Sequence, residues 1–134
     1  MTVPNDWRRR PLFVWGPAIA QAVLIFIASS IPNLTQLPGD ISDHTGHFIG
    51  YAMLGAALLY AFAGASWRGM TAGAGALSLV LSSLYGISDE FHQSFVPGRT
   101  PDVHDWMADT WGAAAAILVL MATALVLRRR TREV

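Results

Sequence analysis

The chain has 134 residues, of which 53% are hydrophobic and 13% charged, with a formal net charge of zero. It is too apolar for an ordinary water-soluble domain, and its length suits one domain over residues 1–134 rather than a soluble core with an appended module. The lack of Cys excludes disulfides, thiolate metal sites and a Cys nucleophile.

The neutral total conceals an asymmetry. All nine basic residues are Arg, and eight of them flank the apolar stretches on what is expected to be one membrane side. The other side carries all four His and seven of the nine carboxylates, with Arg99 as its one basic residue. The Arg clusters contain no interleaved base-stacking aromatics, so no nucleic-acid partner is expected.

The first apolar stretch runs from about Pro11 to Ile31, and about 20 such residues cross a bilayer core. Arg8, Arg9 and Arg10 precede it, placing its start in the cytoplasm by the positive-inside rule. Ala28 and Ser30 resemble a weak signal-peptide cleavage site, but the stretch exceeds the roughly 7–15 residues of a signal core, which favours an uncleaved span. The segment Pro32 to Ser42 reads as a loop broken by Pro32, Pro38 and Gly39. Span two runs from Asp43 to about Ser66, with Asp43, His44 and His47 in its first turns. Gly46 and Gly50 form a GxxxG pattern suited to close helix approach, on nearly the same side as Asp43 and His47. Trp67, Arg68 and Gly69 turn the chain on the cytoplasmic side, and Gly69 and Gly73 give a second GxxxG. Span three runs from about Met70 to Gln93 and ends in Asp89, Glu90, His92 and Gln93. Val96-Pro97-Gly98-Arg99 predicts a tight turn, with Gly98 in the positive-φ position. Thr100 is the expected N-cap of span four, with Pro101 in its first helical position, and the span extends to about Leu127 before Arg128, Arg129, Arg130 and Arg132. The expected fold is therefore all-α: a four-helix transmembrane bundle with both termini cytoplasmic and a polar cluster at the extracytoplasmic ends of helices 2–4.

Three helix ends bring polar residues at helical spacing to that surface. Asp43 and His47 are four apart, Asp89 and Gln93 are four apart, and Asp102, Asp105 and Asp109 follow i, i+3, i+7. Simpler roles compete. Ser42 or Asp43 suits a cap of span two, and Asp102 suits a cap or a dipole partner of span four. Arg99 and Asp105 suit an ion pair that is as readily structural as functional. His44 and His104 read as solvated or interfacial, Gln93 as a partner for backbone or carboxylate groups, and Trp7, Trp15, Trp67, Trp106 and Trp111 as an interfacial belt.

Capping does not account for Asp89 and Glu90. They lie at the C-terminal end of span three, where the helix dipole disfavours negative charge. Arg99 alone does not balance so many carboxylates. Either some carry protons or a divalent cation binds, with His47, Asp89, Glu90 and His92 as candidate ligands. A mixed carboxylate and imidazole set suits Zn, Mn or Fe better than Ca.

The order Asp43-x3-His47, Tyr51, Asp89-Glu90-x2-Gln93 and Pro97-Gly98-Arg99-x5-Asp105-x3-Asp109-x2-Gly112 resembles the VanZ-like family across spans two to four. The resemblance implies a small multi-pass protein of the bacterial cytoplasmic (inner) membrane, in a family named for a member linked to low-level teicoplanin resistance. Two positions depart from the family pattern: His44 stands where Lys is common and Asp109 where Asn is common. Both changes leave more negative charge to offset.

The first functional expectation is a pocket that binds, and in an enzymatic version modifies, an envelope lipid or lipid-linked precursor. Asp89 or Glu90 would be the general base, because burial beside like charge favours a carboxylate near neutrality as a base. His47 would be a ligand or proton relay. Asp43, Tyr51, Gln93, Arg99, Asp105 and Asp109 would contact substrate, with Arg99 orienting an anionic group. A second expectation is a non-catalytic protein that changes access to a glycopeptide or envelope component. A third, a proton-coupled transporter or channel subunit, is disfavoured because the inner halves of the spans carry no titratable relay. Homo-oligomerisation is left open.

Overall fold

The computed structural model describes residues 11–33, 36–37 and 41–131. The expected roles of Trp7, Arg8 to Arg10, Pro38, Gly39 and Arg132 fall outside these residues. Four helices run Pro11–Ser29 (α1), Asp43–Phe62 (α2), Ala72–Gln93 (α3) and Val103–Arg130 (α4). The segment read as a plain loop between α1 and α2 contains two short antiparallel strands, β1 (Gln36–Leu37) and β2 (Ile41–Ser42), with Gln36 opposite Ser42 and Leu37 opposite Ile41.

The caps explain where the helices begin. Ser42 accepts from the Thr45 N–H at 3.3 Å, and Thr71 accepts from the Ala74 N–H at 3.2 Å. At α4 the cap is Asp102, which accepts from the His104 N–H at 2.8 Å, and the helix starts at Val103. This corrects the expected Thr100 cap with Pro101 inside the helix. A carboxylate satisfies an N-terminal N–H and complements the helix dipole, so Asp102 outcompetes the Thr two residues earlier. Gly98 takes φ +76°, as the Pro-Gly turn requires, and Pro97 O accepts from the Asn33 N–H at 3.1 Å.

Three helices, α1, α2 and α4, are long and apolar enough to cross a membrane. The sequence reading gave α3 the same status, and α3 does not meet it. The reason is its inner face: Gly75, Ser78, Ser82 and Gly86 are buried small or hydroxylic residues, while Leu77, Val80, Leu84 and Ile87 point outward. The apolar surface is on the outside of the bundle, with Leu24 59%, Val80 57% and Leu118 66% exposed. That distribution suits a hydrocarbon surround rather than water. The chain is a multi-pass membrane protein.

Inside, one apolar cluster joins Leu59, Met70 and Ile117, and a second joins Ala18, Ile25, Tyr51, Leu54 and Leu58. At the opposite end from the polar residues, the Arg128 guanidinium donates to the carbonyls of Trp67, Arg68 and Met70, closing the α2–α3 turn against α4.

Of the GxxxG glycines, Gly69 sits against the Ala63 carbonyl at the end of α2, while Gly50 and Gly73 make no close contact. A methyl on Gly50 would meet Ile25 at an ordinary 3.8 Å, and one on Gly73 would meet Thr71 at 3.8 Å. The tight seam lies between α2 and α4. A Cβ on Gly55 would sit 2.8 Å from Ala113 Cα, and one on Gly112 would run into the Phe48 carbonyl. Gly112→Ala is therefore expected to force the seam apart and destabilise the bundle by about 1–3 kcal/mol or more. Gly73→Ala should be neutral or slightly stabilising. Thermal unfolding of both variants in detergent checks this, and equal midpoints would contradict the seam.

Candidate functional site

The α2–α4 seam places a buried histidine against a buried aspartate. His47 directly precedes Phe48, and Asp109 lies one turn before Gly112, so the backbone contact brings their side chains together. His47 Nδ1 and Asp109 Oδ1 are 2.9 Å apart, with Asp109 fully buried. The Asp109 carboxylate fits because α3 offers no side chain there: a Cβ on Gly86 would lie 2.8 Å from Asp109 Oδ2. The Tyr51 ring, one turn along α2, lies parallel to the His47 ring at an 8° interplanar angle. On the other side of the imidazole, Nε2 is 3.9 Å from Asp43 Oδ1, and Asp43 Oδ2 accepts from Arg99 Nη1 at 3.2 Å. A chain of polar contacts therefore runs Arg99, Asp43, His47, Asp109.

The end of α3 supplies the third wall. Asp89, Glu90 and Gln93 are 5%, 9% and 1% exposed. Glu90 Oε2 accepts from the Asp102 N–H at 2.7 Å, which ties α3 to the start of α4. Among the described residues, Asp89 Oδ2, Glu90 Oε1, Gln93 Nε2, Asp109 Oδ2 and the Tyr51 hydroxyl are buried with no hydrogen-bond partner. Buried polar atoms of native proteins are nearly always satisfied. Five such atoms gather in one neighbourhood.

Outside this core lies a polar rim. Asp105 is bonded by His44 Nδ1, and Asp102 by His104 Nδ1 at 2.8 Å. The expected Arg99–Asp105 pair does not form: Arg99 reaches Asp43, and His44 takes Asp105. His44, read as solvated or interfacial, is exposed and also bonds the buried Asp105 carboxylate. Gln93, read as a satisfied structural amide, leaves its NH2 without a partner among the described residues. His92 points away from the cluster, bonding Ser30 Oγ at 3.0 Å and lying against Phe26. The Trp106 indole N–H turns into the bundle and donates to Ser83 O and Oγ at 3.2 and 3.1 Å. Trp67 and Trp111 are exposed, and Trp15 packs edge-on against Phe62.

A cavity of about 280 Å³ opens beside the core between α1, α2 and α3. Leu24, Ile25, Ala28 and Met53 form its apolar wall, and Asp43, His47, Tyr51, Asp89, Gln93 and Arg99 form its polar floor. The contribution of α1 was missed from sequence. Gln21 Nε2 donates to Gly50 O at 3.0 Å, the Tyr85 hydroxyl donates to Ala22 O at 2.7 Å, and Ser29 is buried beside Asp89. The usable signal was topological: the end of α1 and the end of α3 must lie at the same end of the bundle.

Among the described residues, three groups bring one donor atom per residue within 4.8 Å of one another: Asp43, His47 and Asp105; His44, Asp102 and Asp105; and His47, Glu90 and Asp109. Asp89 and His92, both named as ligand candidates from sequence, belong to none of the three.

The VanZ/LLP1 family profile matches residues 14–127. The chain belongs to the VanZ/LLP1 family. No curated protein and no solved structure matches it. The matched region takes in all of α2 and α3 and most of α1 and α4, so the site just described lies wholly within the VanZ/LLP1 region. The buried His and Asp cluster is the polar centre of this envelope-family fold.

Asp102 titrates at the rim, outside the helices. The N–H of His104, and then the His104 ring, hold its carboxyl below the usual carboxylate range. A depressed carboxylate stabilises the fold above its unfolded pKa, and that stabilisation fades as pH falls through the folded value. Asp102→Asn caps the helix without titrating. The stability difference between wild type and this variant should therefore change on acidification below about pH 4. A difference that stays constant across that range, measured by denaturant unfolding, would contradict the cap.

Proposed function

We propose that the chain is a single domain of the bacterial cytoplasmic membrane in which all four helices span and both termini lie inside. Its extracytoplasmic recess binds an envelope lipid or lipid-linked precursor. One observation carries this: a cavity with an apolar wall on the lipid-exposed side and unpartnered buried polar groups on its floor. An amphiphile satisfies both. Its chain would lie along Leu24, Ile25 and Met53, and its head would meet Tyr51, Asp89, Gln93 and Arg99. Gln93 and Tyr51 offer donors and Asp89 an acceptor, so the head group needs both kinds of partner, as hydroxyls, amides and phosphates on sugars or glycerol provide.

In the catalytic version, Asp89 or Glu90 removes a proton from the head group, and His47, oriented by Asp109, relays it. Arg99 positions an anionic oxygen. Altered availability of such a precursor connects this reading to the teicoplanin resistance for which the family is named. A binding-only version uses the same contacts without turnover. Transport is the weakest reading, because α2 beyond Tyr51, α3 before Tyr85 and α4 between Asp109 and Arg128 carry no Asp, Glu or His.

Mass spectrometry of lipids retained by protein purified in native bilayer discs tests the reading. Wild type is expected to enrich one lipid class over the bulk membrane. Gln93→Leu, which removes a buried donor worth about 1 kcal/mol, should lower that enrichment roughly fivefold. A retained profile identical to the bulk membrane and unaffected by the substitution would sink it. Lipid extracts from cells expressing Glu90→Gln then separate turnover from binding: an accumulated precursor indicates catalysis, and unchanged lipids indicate binding alone.

A further inference from the structure

We infer that His47, Glu90 and Asp109 form a binding site for one divalent transition cation, of the Mn2+, Fe2+ or Zn2+ class. The inference does not rest on the lipid reading. The three residues come from α2, α3 and α4, and a donor atom of each lies within 4.8 Å of the other two. Of the three groups with such spacing among the described residues, this is the one whose two carboxylates each hold a fully buried oxygen with no hydrogen-bond partner. In the rim group, His44 is bonded to Asp105 and Asp102 to His104. In the Asp43 group, Asp43 is held by Arg99 and Asp105 by His44. Glu90 and Asp109, 9% and 0% exposed, each use one carboxylate oxygen on a protein partner and leave the other with none among the described residues. The unused oxygen of Asp109 lies over Gly86, one turn before Glu90 on α3, so both orphan oxygens belong to the α3–α4 interface that His47 faces.

A proton shared between Glu90 and Asp109 would remove one charge; a divalent cation offsets two and also takes the imidazole. A cation satisfies both oxygens and supplies charge. Five carboxylates of the cluster, Asp43, Asp89, Glu90, Asp105 and Asp109, are half-buried or buried, and among the described residues Arg99 is the guanidinium that meets them. Transferring ionised carboxylates from water without compensation costs several kcal/mol each. One imidazole with two carboxylates is the donor mixture of first-row ions rather than of Ca2+. Three protein ligands leave a coordination position open, as in catalytic sites. His47 lines the cavity while Glu90 and Asp109 do not, so the site adjoins the pocket through the imidazole.

The test uses full-length protein without a polyhistidine tag, stripped with chelator, loaded with Mn2+ or Zn2+, desalted and measured by elemental mass spectrometry. Wild type is expected to retain one equivalent. Glu90→Gln and Asp109→Asn should each weaken affinity at least about tenfold, while His92→Gln should retain the full equivalent. Pulsed EPR of the Mn2+-loaded wild type should show coupling to a single imidazole nitrogen, a readout that needs no variant to fold. Sub-stoichiometric metal in wild type, an absent nitrogen coupling, or full retention by both carboxamide variants would each overturn the assignment. Lipid enrichment by the stripped protein separates the two readings: if it persists while no ion binds, the cation site fails and the lipid pocket stands.

Discussion

Everything at the polar end depends on the backbone contact between α2 and α4. Gly55 against Ala113 and Gly112 against the Phe48 carbonyl remove the side-chain spacer that normally separates helices. In lipid, where burying apolar surface gives no net drive toward association, such close packing is a main source of helix cohesion. It also fixes chemistry. With the axes this close, His47 and Asp109 meet across the seam, and Gly86 on α3 leaves room for the carboxylate. A bulkier residue at any of these glycines would separate the imidazole from its acid.

That geometry concentrates negative charge where water is scarce. The structure offsets part of it with Arg99 on Asp43, His44 on Asp105, His47 on Asp109 and two backbone donors, the Asp102 N–H on Glu90 and the His104 N–H on Asp102. The remaining capacity is unspent and lies on the inner wall, beside an apolar cavity. A fold selected for stability alone would replace such a network with apolar packing at little loss. The proposed head group and cation both draw on that unspent capacity.

Much of the architecture was legible in the sequence. Four apolar stretches with Arg at alternate ends predict the helices, and the helical spacing of Asp43 with His47 and of Asp105 with Asp109 places these pairs on one inner side. Pairing was not legible. Arg99 had several acidic neighbours of equal plausibility, and only the tertiary placement of the turn at Gly98 sends it to Asp43. The glycine signal was incomplete for a physical reason: GxxxG advertises a flat face, but Gly55 and Gly112 act as isolated residues opposite Ala113 and Phe48 on another helix, which no local pattern encodes. α3 fell short of a membrane span by hydropathy because its inner face packs Ser and Gly against its neighbours. The hydroxyls of Ser78 and Ser88 return to backbone carbonyls and that of Ser83 to Thr110, while the buried Ser82 hydroxyl has no partner among the described residues.

The central claim is that imidazole and carboxylate groups from separate helices share one buried recess. A double-mutant cycle on His47 and Asp109 tests it most directly. His47→Leu and Asp109→Leu, taken singly, each strand a buried polar partner, whereas the double variant removes both. The account predicts that the double variant is less destabilised than the sum of the singles, by at least about 1 kcal/mol in unfolding free energy. Additivity within about 0.3–0.5 kcal/mol would mean that the two side chains do not meet, and the recess would not exist as described.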